Sequence, residues 1–163
     1  MPKRLVICCD GTWNTPDQVS GKRSTPTNVT KLALAIATAG PDGVEQRVYY
    51  HPGVGTKRGE RSRGGAFGLG LSRAVRDVYA YLVANFEPGD EIFFGFSRGA
   101  FTARSSAGLV RNCRVLRPEH ADRIDDAYRL YRSRQAHPRG TEARLFRRPS
   151  ASLAGELNST TRT

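Results

Sequence analysis

The stretch that most limits what this chain can become is Glu91-Ile92-Phe93-Phe94-Gly95-Phe96-Ser97-Arg98-Gly99-Ala100, an apolar run that stops at a glycine-serine-glycine turn and passes directly into a helical pattern. Ile92 to Phe94 read as a buried strand, and Ala100 to Asn112 as the helix after it. Between them, Gly95-Phe96-Ser97-Arg98-Gly99 has the form of a nucleophile elbow. There the turn is tight enough to push the serine outward, and a glycine two residues either side leaves room where strand and helix cross.

Two more strands are predicted upstream. Leu5 to Cys9 is continuously apolar and is stopped by Asp10-Gly11-Thr12, as in a strand buried on both faces. Arg47 to Tyr50 is a shorter run broken by His51-Pro52-Gly53. A helix capped by Thr27 and carrying Val29, Leu32, Ala33, Leu34 and Ile36 separates these two strands and ends at Gly40-Pro41. Thr56 to Gly70, rich in glycine and arginine, reads as a loop. Val75, Tyr79, Leu82 and Phe86 then share one helical face, ended by Pro88-Gly89-Asp90.

Strands alternating with helices predict an α/β fold with a parallel sheet. Helices before and after the second strand cover opposite faces only when the first strand lies in the middle, so the expected order is 2-1-3. A ligand site then falls beyond the carboxyl ends of strands one and three, where Asp10-Gly11-Thr12 and Ser97 both lie. The small residues Gly99, Ala100, Ala103, Ser106, Ala107 and Gly108 predict close packing of the third helix on the sheet. Pro118 to Arg134 has helical spacing at Ile124, Ala127, Tyr128 and Tyr131. Residues 1–148 read as one folded part, and 149–163, without a period, as a poorly ordered tail.

For a serine nucleophile the chain offers two oxyanion donors, the N–H of Arg98 and an N–H at Gly11 or Thr12. Asp10 and Asn14 read as supports of that loop rather than as reacting groups. The base is the missing element. His51, His120 and His137 are the three histidines, and each reads as a capping or solvated residue.

Other chemistry is disfavoured. Asp10-Gly11-Thr12 resembles part of a phosphatase motif, but the position of the nucleophilic aspartate holds Cys8. The glycine clusters lack dinucleotide or P-loop spacing. Cys8, Cys9 and Cys113 have no metal-ligand spacing and read as small core residues in a reducing compartment, so neither metal nor cofactor is expected. With a net charge of +11, and eleven arginines between Arg111 and Arg148, a basic module for nucleic acid or anionic membrane is the alternative reading. The arginines are scattered rather than aligned, which disfavours nucleic acid. No run approaches a membrane span and no signal peptide is evident, so a cytoplasmic location is expected.

Four motifs in order carry a resemblance: Cys9-Asp10-Gly11-Thr12-Trp13-Asn14; Thr27-Asn28-Val29; Tyr49-Tyr50-His51-Pro52-Gly53-Val54-Gly55-Thr56; and Gly95-Phe96-Ser97-Arg98-Gly99-Ala100-Phe101-Thr102-Ala103-Arg104. Over roughly Arg4 to Arg148 the chain resembles an α/β-hydrolase family that includes catalytic domains of type VI secretion phospholipase effectors, some of them exported. The resemblance implies a partial α/β-hydrolase fold and cleavage of phospholipid or other carboxylic esters, with Ser97 as nucleophile. It also implies an aspartate in a later Trp-Asp-Thr-Val-Gly-like motif and a histidine beyond it. Neither motif occurs here, and His51 stands where the family is expected to have aspartate. A product truncated before these groups, inactive alone or completed by a second polypeptide, is therefore expected.

Overall fold

A computed structural model of the chain describes residues 2–20, 23–54, 66–94, 99–133 and 137–150. Five strands and five α-helices are formed by them. β1 (Arg4–Cys9) lies between β4 (Gln46–His51) and β5 (Glu91–Phe94), parallel to both, giving the order β4-β1-β5. This is the 2-1-3 order expected from the helix placement. The register pairs Leu5 with Arg47 and Ile92, and Cys9 with His51.

The two faces of β1 are buried against different elements. Leu5, Ile7 and Cys9 join the main core with Val75, Val78, Tyr79 and Leu82 of α2 (Ala66–Asn85) and Leu109, Val110 and Cys113 of α3 (Ala100–Cys113). Their alternate, Cys8, is fully buried on the opposite face. α1 (Asn28–Ala35), with Val29 and Thr30 buried, packs on β1 and β4. The two cysteines therefore point apart, as strand geometry requires. Burial raises both thiols, Cys9 to about 12, so neither is a thiolate at neutral pH.

The remaining elements pack onto the helical layer. A 3-10 segment, Pro118–Arg123, leads into α4 (Ile124–Arg132), and α5 (Thr141–Ser150) follows. Two differences from the sequence expectation have physical causes. α2 begins at Ala66, inside the stretch read as loop, because Leu69 and Gly70 continue a helix in which Gly70 lies against Val54. A methyl on Gly108 would lie 2.9 Å from the Tyr131 ring, so that glycine admits α4 rather than the sheet. A two-stranded antiparallel ribbon, β2 (Val19–Ser20) with β3 (Arg23–Ser24), was not anticipated from its polar sequence.

Candidate functional site at the carboxyl end of the sheet

Where β1 ends, the chain turns through Asp10 to Asn14, and the residues holding this loop come from three elements. Asp10 is buried, and its carboxylate collects donors on both oxygens. Oδ1 accepts from the Gly11 N–H at 2.6 Å and from Asn14 Nδ2 at 3.2 Å. Oδ2 accepts from Thr27 Oγ1 at 2.5 Å and from the Tyr50 hydroxyl at 2.6 Å, with Thr30 Oγ1 at 3.3 Å. Thr27 also caps α1, its oxygen accepting from the Thr30 N–H at 3.1 Å while its proton goes to Asp10.

No cation is among these partners, so the hydrogen bonds alone stabilise the charge. Desolvation by itself would raise the Asp10 pKa; the bonds from Thr27, Tyr50, Gly11 and Asn14 outweigh it and hold the carboxyl below the usual range. Burial first, and the bond to Asp10 second, push the Tyr50 phenol upward. The hub is thus a carboxylate ringed by neutral donors.

This arrangement fixes the main chain amide by amide. The Asp10 N–H donates to His51 O at 2.9 Å, Gly11 to the Asp10 side chain, Trp13 to Val54 O at 2.9 Å, and Asn14 to Gly11 O at 3.0 Å. The Thr12 N–H alone in this run has no acceptor among the described residues. The Gly11–Asn14 turn puts Trp13 at φ 64, a left-handed conformation that costs a bulky residue strain. The residue is 57% exposed.

Two glycines close the loop against its neighbours. A methyl on Gly53 would lie 1.5 Å from the Gly11 carbonyl oxygen, so the turn after β4 abuts the loop after β1. A methyl on Gly99 would lie 2.1 Å from the Cys9 carbonyl oxygen, so the start of α3 crosses directly over the end of β1. Gly95, Phe96, Ser97 and Arg98, the rest of the expected elbow, lie outside the described residues. The placement of Gly99 therefore brings its flank to the Asp10 loop without describing Ser97 itself.

His51 faces the α2 side of β4. Its Nδ1 is 2.7 Å from Pro52 O and its Nε2 is 3.5 Å from Asp77 Oδ2 on α2. Nearby, Tyr49 stacks on Tyr81 at 4.3 Å between ring centroids. His120 lies in the 3-10 segment and His137 is exposed in the loop before α5.

Sequence reasoning missed Tyr50, Thr30 and the second role of Thr27. The signal was the alternation of β4, which sends Tyr49 to the α2 face and Tyr50 to the α1 face. Part of the arginine-rich stretch is engaged within the chain itself. Arg147 donates to Ala143 O and Pro138 O, Arg123 lies 4.5 Å over the Phe146 ring, Arg129 pairs with Asp126, and Arg117 lies near Glu119. Among the described residues there is no cluster of metal-ligating side chains, and no helix is long and apolar enough to cross a membrane.

Comparison with known proteins adds to this geometry. A family model described as type VI secretion system (T6SS), phospholipase effector Tle1-like, catalytic domain, matches residues 3–161, past the point near Arg148 where the motif resemblance ends. The uncharacterized protein YEL023C of Saccharomyces cerevisiae is 29% identical over 147 residues, covering 79% of this chain and 20% of the relative. The chain thus spans about a fifth of the length of that curated relative. No solved structure matches it.

Proposed function

The chain belongs to the family of Tle1-like phospholipase effector catalytic domains, and from that premise we propose that it carries the nucleophile half of a serine hydrolase acting on phospholipid or other carboxylic esters. Ser97 is the nucleophile in this reading. Its Oγ attacks the ester carbonyl carbon, its proton passes to a base, and the carbonyl oxygen becomes an oxyanion. The N–H groups of Thr12 and Arg98 receive that charge. Collapse expels the alcohol with a proton from the base, and water then hydrolyses the acyl-serine.

The observation that carries the reading is the Asp10 loop. Four of its five amides are engaged with acceptors in the chain, and the Thr12 N–H has none among the described residues, on the same end of the sheet as Gly99. With the Gly11 N–H bound to Asp10, Thr12 is the better donor of the two. Asp10, Asn14, Thr27 and Tyr50 hold that donor in place rather than react. Preorganised amides of this kind are each worth about 10²–10³ in kcat.

The motifs that carry the family's aspartate and histidine do not occur among these 163 residues, so in this reading the base comes from outside them. Both ring nitrogens of His51 face groups of its own chain, Pro52 O and Asp77, so it is a poor candidate. Loss of a triad member leaves only about 10³–10⁴ over water. A fluorophosphonate probe is accordingly expected to label Ser97 slowly, and faster when polypeptide bearing the family's aspartate and histidine motifs is added. Rapid stoichiometric labelling of this chain alone would sink the missing-base reading. Thr12→Pro removes the proposed donor at a turn position that accepts proline, so folding should persist while labelling falls; unchanged labelling would remove Thr12 from the oxyanion hole.

A further inference from the structure

Large apolar side chains that a fold leaves exposed mark contact surfaces when they gather at one place. In this chain three of them gather at the carboxyl end of the sheet, beside the Asp10 loop. Trp13 (57% exposed) follows β1, Phe101 (56%) is the second residue of α3, and Leu69 (75%) lies in the first turn of α2. Contacts tie them together. Gly99, two residues before Phe101, sits on the Cys9 carbonyl at the end of β1. Gly70, next to Leu69, lies against Val54, whose carbonyl accepts the Trp13 N–H. Parallel topology explains the placement, since α2 and α3 both start at the end of the sheet where β1 stops.

We propose that this end of the sheet is a docking face for an anionic phospholipid bilayer, with Trp13, Leu69 and Phe101 entering the interfacial region. The inference rests on the lipid-ester reading and names the surface that would present the substrate. Tryptophan is the side chain best suited to the boundary between headgroup and acyl chain, being apolar with one polar N–H. Trp13 is held outward by a backbone conformation that its bulk disfavours, which places an indole in solvent where no folding gain is evident. Charge selects the lipid. Exposed Arg73 and Arg104 follow Leu69 and Phe101 by about one helical turn, and Arg23 is exposed on the ribbon that comes after the Trp13 turn in the chain, with Asp17 an exposed acid before it. The whole chain carries +11. Cations beside an apolar contact favour an anionic leaflet over a zwitterionic one.

Trp13 is the only tryptophan in the sequence, so the unmodified chain reports on its own docking. Its emission should shift to the blue on adding vesicles of non-hydrolysable ether-linked anionic phospholipid. The shift should be weaker with zwitterionic vesicles and in high salt, which screens the arginines. Leu69→Ser and Phe101→Ser, both at exposed positions, should each weaken partitioning by roughly tenfold. Leu34→Ser, exposed on the late part of α1, should leave it unchanged. An emission spectrum indifferent to vesicles, or a response equal in the Leu69 and Phe101 variants, overturns the proposal. So does a response to an oligonucleotide and not to vesicles. Hydrolysis of a soluble short-chain ester by the complemented chain without vesicle binding overturns docking and spares the hydrolase reading; vesicle binding without ester hydrolysis does the reverse.

Discussion

Asp10 concentrates the chemistry of the loop in one side chain. Its carboxylate is bound more favourably in the folded state than in the unfolded chain, as its depressed pKa records. The sign of its contribution follows: the stabilisation is fully present above the unfolded carboxyl range, about 3.9, and is lost as pH falls through the lower folded value. Asp10→Asn should therefore lower stability most at neutral pH, with the deficit shrinking below about pH 4; urea melts at pH 7 and pH 3 check this. Tyr50→Phe removes one short bond to that charge and should cost about 1.5–3 kcal/mol, measured the same way. Gly53 makes a different kind of demand. Its Cα faces the Gly11 carbonyl with no room for a methyl, so Gly53→Ala must displace one of the two turns. The expected cost is 1–3 kcal/mol or more, with altered exchange of the Trp13 amide.

At the scale of the elements, the junction after α3 shows a strain that packing overrides. Arg114 ends the helix at φ 63 and ψ −171, a conformation suited to glycine, and its carbonyl accepts the buried Tyr79 hydroxyl at 2.6 Å. That bond ties the end of α3 to the middle of α2. Arg114→Gly should raise stability by about 1 kcal/mol through relief of the backbone, since the carbonyl remains in place for Tyr79. A loss in chemical denaturation would mean that the arginine side chain outweighs the strain. Tyr79→Phe leaves the Arg114 carbonyl in a buried setting without this donor, and should be destabilising by about 1–3 kcal/mol. The core residues around it are fully buried, and Leu109→Ala should cost about 2–5 kcal/mol.

For the whole molecule, the division between what was legible and what was not follows from how far each constraint reaches along the chain. Apolar runs, helical spacing and turn residues are local. They placed β1, β4, β5 and helices α1 to α4 but not α5, and the requirement that α1 and α2 cover opposite faces gave the order β4-β1-β5. The motif order gave the family in the same way. Contacts between distant residues carry no such local trace. Tyr50 is forty positions from Asp10, and only strand pairing and register bring its hydroxyl to the carboxylate. The sequence alone thus determined an α/β chain with its loop at the carboxyl end of the sheet. Tertiary structure decided which amide of that loop lacks an acceptor among the described residues and which apolar side chains remain in solvent, because both depend on what else has already been satisfied or buried.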